Sequence, residues 1–198
     1  MKARNHVQGF SLTELMIVIA LFAIFLLVAS PSIQLYLENS KVRNVAESIE
    51  SGMQKAKFHA IKNNVPVEFV LDTTDASWAI WSVDDSKTPA ERVTPAIETF
   101  SWGADGSNWS RVTVSANVAG RARASTQAVI TFDRGNGWLL RNNLTTTDAP
   151  PSSIAVSDSL AGTRHLQVDI LMRGGVRVCD QDLTDDTDAK SCHFGALP

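Results

Sequence analysis

The sequence predicts an α+β fold: a long N-terminal helix, with a membrane half and an amphipathic half, packed on an antiparallel β-sheet head. Three observations predict it. Residues 15–29 read LMIVIALFAIFLLVA, without one polar side chain. Residues 42–60 carry apolar residues at spacings of three and four, the period of one helix face. From residue 65 onward, short apolar runs are separated by clusters of Gly, Asn, Asp and Thr, which reads as strands and turns.

The apolar run sets the topology. Counted from Phe10, with Ser11, Thr13 and Glu14 included, it is 20 residues long, about 30 Å as a helix and enough to cross a bilayer. Residues 1–9 carry Lys2, Arg4 and His6 and no acid. The positive-inside rule keeps such a flank cytoplasmic and puts the rest of the chain outside. An ordinary signal peptide would be cut after the run, where Ala29-Ser30-Pro31 is a poor site because of the proline. A plain signal anchor is the other reading. Neither accounts for Glu14, a carboxylate one turn inside the apolar helix. Such a charge costs about 2.5–3.5 kcal/mol at mid-bilayer and less near the interface, and it persists where it has a partner.

The amphipathic half follows Pro31, which should bend or loosen the helix. Val42, Val45, Ala46, Ile49, Met53, Ala56 and Ala60 form an apolar stripe. Lys41, Arg43, Glu47, Glu50, Lys55 and Lys57 occupy other positions. The helix should end near Asn63-Asn64, because Val65 precedes a proline and avoids the α region.

Seven strands are expected in the head: Pro66–Leu71, Trp78–Val83, Arg111–Ser115, Ala128–Asp133, Trp138–Arg141, His165–Met172 and Val176–Cys179. Turns are expected at Asp72-Thr73-Thr74-Asp75, Arg134-Gly135-Asn136-Gly137 and Arg173-Gly174-Gly175, the last two as hairpins. The helix stripe would cover the apolar face of this sheet. Segment 143–160, rich in Thr, Ser, Pro and Ala, reads as an exposed loop.

Composition narrows the function classes. With 198 residues, 44% hydrophobic and 20% charged, the chain is one ordinary globular domain, neither collagenous nor disordered. The net charge of −3 selects no partner. No GxSxG, HExxH, Walker loop or GxGxxG is present, and His6, His59, His165 and His193 are scattered. No enzyme, cofactor or metal site is expected. Asp180, Asp182, Asp185, Asp186 and Asp188 lack the EF-hand Gly and terminal Glu, so they read as a solvated acidic loop and not as calcium ligands. Cys179 and Cys192 lie 13 residues apart. Exported, such a pair usually bridges; in the cytosol it would more often be two free thiols.

Gly9-Phe10-Ser11-Leu12-Thr13-Glu14-Leu15, behind a basic leader and ahead of the apolar run, resembles the processing signal of prepilins. The resemblance implies that a prepilin peptidase cuts between Gly9 and Phe10 and methylates Phe10. It also implies that Glu14, at the fifth mature position, docks subunits by pairing with a neighbour's new α-amine. Further on, Ala56-Lys57-Phe58-His59-Ala60-Ile61-Lys62-Asn63 with Val65-Pro66-Val67, Ile130-Thr131-Phe132, and Val176-Arg177-Val178-Cys179-Asp180 resemble the FimT/GspH (FimU-like) group of minor pilins and pseudopilins. That implies a pilin-like fold in three parts. Residues 1–9 are the cytoplasmic leader, 10–30 the transmembrane and filament-core helix, and 31–198 a periplasmic domain whose helix runs to about 63 and whose head is 65–198. Cys179 and Cys192 would form a disulfide tying the tail to the last strand.

The function implied is that of a type IV minor pilin that primes or caps assembly, anchored in the bacterial inner membrane and then in the pilus. Its implied partners are the peptidase, other pilins or pseudopilins and the inner-membrane assembly platform. A GspH-like pseudopilin of type II secretion is the alternative in the same class. A DNA-binding tip subunit is the alternative in another. Some FimT-like pilins carry a Gly-Arg-x-Arg patch, where this chain has Gly174-Gly175-Val176-Arg177, with Arg173 just before it and Arg164 in the neighbouring strand. Cations there would bind phosphates in a salt-dependent way; the adjacent aspartates oppose it.

Overall fold

Helix α1 (Leu12–Asn63) is followed by ten strands in the computed structural model, which describes residues 10–102, 111–118, 121–122, 126–140 and 142–192. The chain divides into two units, Met1–Leu37 and Glu38–Pro198. In the first, among the described residues, no helix is long and apolar enough to cross a membrane. The expected apolar segment 10–30 extends into residues 27–31, whose side chains lie outside the described ones.

The second unit is built on the stripe read from the sequence. Val42, Val45, Ala46, Ile49, Met53, Ala56 and Ala60 are all 0–1% exposed. Asn64, at φ 53°, takes the left-handed conformation that commonly closes a helix.

Two antiparallel sheets receive this face. The first has β1 (Val67–Asp72) at its centre, flanked by β2 (Trp78–Asp84) and β7 (Gln127–Phe132). The short strands β3 (Glu91–Arg92) and β4 (Glu98–Phe100) pair with β2. The second sheet runs β10 (Val176–Asp180), β9 (Leu166–Ile170), β8 (Ser153–Asp158), β5 (Val112–Val118), β6 (Arg121–Ala122). Along β1, Val67, Phe69 and Leu71 join the core with the helix stripe, while Glu68 and Val70 are buried as well. Gly52 permits the helix to sit close, since a Cβ there would meet Phe69 at 2.7 Å and Trp78 at 3.0 Å. The Trp78 indole N–H donates to Ser48 Oγ at 3.0 Å, which ties helix to sheet and satisfies a polar group inside an aromatic cluster.

The structure corrects two expectations. Segment 143–160 is not wholly an exposed loop: 153–158 is β8, paired with β5 and β9. Ile154 and Val156 are fully buried. Small residues between them disguised the period-two pattern. Trp138–Arg141 is not a strand. Only Leu139 bridges, to Phe132, and its own N–H turns to the Met172 carbonyl at 3.1 Å; Arg141 lies outside the described residues. The turn at 172–175 does form a hairpin, with Val176 opposite Ile170.

Candidate functional site

The N-terminal helix begins at Leu12, and the Leu15 N–H donates to the Ser11 carbonyl at 3.1 Å as its first turn closes. From Leu15 to Leu26 this helix is apolar on every face, and among the described residues its large side chains are uncovered. Leu15, Met16, Ile17, Val18, Ile19, Leu21, Phe22, Ile24, Phe25 and Leu26 are all at least half exposed. A globular surface rarely shows so large an apolar patch without a use for it, and a helix apolar all round is normally buried. One carboxylate stands in this surface. Glu14 occupies the first turn, where a negative charge is favoured by the helix dipole. Among the described residues it has no hydrogen-bond or ion-pair partner. Phe10 is 86% exposed; Gly9 and the rest of 1–9 lie outside the described residues.

A second group of expected site residues sits on the β9–β10 hairpin. Cys179 and Cys192 are joined by a disulfide with a Cα–Cα distance of 4.9 Å. It fastens the acidic loop to β10, assisted by Cys192 N–H donating to the Asp180 carbonyl at 3.2 Å. Asp182 accepts from the His165 backbone N–H and sits 2.9 Å from its Nδ1. Partial burial works to raise the Asp182 carboxyl, but these His165 contacts, with Arg164 nearby, hold it below the usual carboxylate range.

The three arginines do not form one patch. Arg177 donates Nε and Nη2 to Asp169 Oδ2 at 3.2 and 3.1 Å, and Arg164 reaches Asp180 at 3.5 Å. Arg173 lies at the far end of the hairpin, 5.9 Å over the Trp138 ring. Five residues of β9, about 17 Å of strand, separate that end from Arg164. Among the described residues no group of three or more His, Cys, Asp or Glu could hold a metal ion; His193 lies outside them.

Two constellations had no separate signal in the sequence. Glu68, on the far face of β1 and fully buried, accepts from Arg92 Nε at 2.9 Å, from the Thr145 N–H at 3.2 Å and its hydroxyl at 2.6 Å, and lies 3.2 Å from the Thr131 hydroxyl. A glutamate in an alternating strand reads as solvent-facing; residues 143–145 cover it. The other is the meeting of two turns. Gly174, at φ +70°, is so close to Gly137 that a Cβ would lie 2.1 Å from the Gly137 carbonyl oxygen. The Lys57 Nζ donates to the Gly174 carbonyl at 3.1 Å.

Comparison with known proteins gives two profile matches. The prokaryotic N-terminal methylation motif matches residues 4–30. The family described as type II transport protein GspH matches residues 45–174, which include the core-facing end of the helix and every strand except β10. A search of curated proteins found no match. Among solved structures, the chain is similar to the type IV minor pilin FimU of Pseudomonas aeruginosa in two crystal forms. One has a TM-score of 0.48 and 14% identity, covering 72% of this chain and 91% of that one. The other has a TM-score of 0.44 and 13% identity, covering 69% and 90%.

Proposed function

The chain belongs to the GspH family of type II transport proteins, and from that premise we propose that it is a minor pilin of a type IV pilus, a structural subunit that helps prime or cap the filament. The observation that carries this reading is the uncovered apolar helix with Glu14 as its only charge between residues 10 and 26. Such a surface needs lipid first and neighbouring helices afterwards. A cut after Gly9 would free an α-amine at Phe10, four residues from Glu14. The amine of one subunit and the carboxylate of the next can pair in an apolar core. Truncating one member of such a pair costs about 3–5 kcal/mol, because the other charge is left uncompensated.

The proposed course runs from membrane to filament. The precursor sits in the inner membrane with residues 1–9 in the cytoplasm and the head in the periplasm. The prepilin peptidase processes it, the assembly platform extracts it, and other pilins receive it. Nothing in this course asks the head to do catalysis. DNA capture gains no support from the head: Arg177 and Arg164 already face Asp169 and Asp180.

The second reading is a type II secretion pseudopilin, favoured by the description of the matching family. A deletion strain separates the two. Loss of surface pili with normal protein export supports the minor pilin; retained pili with blocked export supports the pseudopilin. The shared premise is tested by Gly9→Val, which should block processing while membrane insertion survives. Normal maturation of that variant would refute both.

A further inference from the structure

Among the described residues of the second unit, six large apolar side chains are exposed, and five of them meet at one place. Phe58 and Ile61, 60% and 46% exposed, share a face of the last turns of α1. Trp138, at 48%, follows the 134–137 turn. Leu171 and Met172, at 55% and 59%, lead into the β9–β10 turn. Val93, beside β2, is the sixth. Gly137 joins these pieces: a Cβ there would lie 2.9 Å from Ile61 Cδ1, and its carbonyl oxygen packs on Gly174. The Leu139 N–H donates to the Met172 carbonyl at 3.1 Å. The β9–β10 turn is closed on itself as well, with Gly174 N–H donating to the Leu171 carbonyl at 2.7 Å and Leu171 N–H to the Gly175 carbonyl at 2.8 Å. Its apolar side chains are therefore presented on a fixed frame.

The charge around this apolar centre is mainly positive. Arg173 lies over Trp138, and Lys62 sits 5.7 Å over the exposed ring of Phe58. Neither cation has a carboxylate partner among the described residues. Lys57 keeps its charge while donating to the Gly174 carbonyl. One acid, Asp133, stands in the neighbouring turn, its Oδ2 accepting the Gly135 N–H at 3.1 Å; Arg134 beside it pairs with Asp85. An occupant that fits must be anionic and apolar at once. Leu171, Met172 and Ile61 offer a nucleic acid neither stacking faces nor hydrogen bonds. An acidic polypeptide would match the cations but set charge against the aliphatic tips. A bilayer with anionic headgroups matches both. The aliphatic tips enter the acyl boundary, Trp138 lies at headgroup level, and Arg173 and Lys62 meet the phosphates.

We propose that this apolar, cationic surface of the head docks on an anionic phospholipid membrane. The use of the contact, bringing a filament subunit onto a second membrane, rests on the filament reading. The contact itself does not, so it can fail while N-terminal processing succeeds.

The experiment holds the full chain in nanodiscs of neutral phosphatidylcholine and reads its flotation with added vesicles. Vesicles of equal parts phosphatidylcholine and phosphatidylglycerol should capture it, and vesicles of phosphatidylcholine alone should not. Arg173→Ala should weaken capture about fivefold, and Leu171→Ser with Met172→Ser about tenfold. Lys190→Ala, in the disulfide loop, should change nothing. Protease resistance of the head and an intact Cys179–Cys192 bridge, checked by mass, show that the variants are folded. No capture by the folded chain, equal capture by neutral vesicles, or unchanged capture in either turn variant overturns the proposal. So does an equal loss in Lys190→Ala, which would reveal unspecific attraction between charges. Complete displacement by polyglutamate at matched charge would overturn it too, marking the surface as a site for acidic polypeptides.

Discussion

Leu21 and Ile49 are both apolar residues of a helix, and their surroundings are opposite. Leu21 is 52% exposed, Ile49 not at all. Around Ile49 the apolar positions repeat at three and four, so one face serves the core and the others carry Lys, Arg and Glu. The chain folds its own sheets over that face. Around Leu21 there is no polar side to leave outside, and among the described residues nothing buries it. One region is satisfied by folding; for the other, the proposed function supplies lipid and then neighbouring helices. The difference separates what holds the head together from what the proposed function assigns to filament assembly.

That separation can be broken experimentally. All five tryptophans lie in the head, so fluorescence of the solubilised full chain reports head unfolding. The largest effect is expected from Phe69→Ala, a fully buried ring, which should cost about 3–5 kcal/mol. Leu21→Ala should leave the same transition unmoved; a comparable loss would erase the distinction between the regions. Next comes Glu68→Ala. It strips the acceptor from Arg92 and Thr145 in a dry site and should cost about 3 kcal/mol or more. Glu14→Ala, by contrast, should leave head unfolding unchanged and abolish incorporation into filaments. Equal head stability for Glu68→Ala and wild type would mean that the covering residues 143–145 contribute nothing.

Cys192→Ser should cost roughly 3 kcal/mol for a closed loop of this length, with the acidic loop released first under proteolysis. The smallest effect concerns pH. Asp182 is held below its ordinary value of 3.8. Its contribution is therefore complete above that value and fades as pH falls through the lowered one. Asp182→Asn should remove that acid-side loss of loop protection, read by hydrogen exchange, and leave neutral pH behaviour nearly unchanged. An unaltered acid profile would discard the His165–Asp182 contact as a clamp.

How far the residues announced this arrangement varied with local physics. The helix stripe was legible because its period is long and unbroken from Val42 to Ala60. Strands β1, β2 and β7 were legible because β-branched and aromatic residues lie between clear turns. Strand β8 was not, since Ser153, Ala155 and Ser157 alternate with only two large apolar residues in a stretch rich in turn formers. Strands β3 and β4 have two and three residues, too few to show a period. Glu68 was hidden for another reason: its burial depends on a segment 75 residues further on, and no local pattern carries that. At the N-terminus the balance reverses. Motif and apolar run were plain in the sequence, while the structure adds that no other part of the described chain pairs with Glu14.

The central claim is that the chain matures at Gly9–Phe10 to become a filament subunit. Intact mass and N-terminal sequencing of the protein from membranes of its own host test it most directly. The account predicts a chain beginning at N-methylated Phe10. A chain still beginning at Met1, or one cut near Ser30, would contradict it.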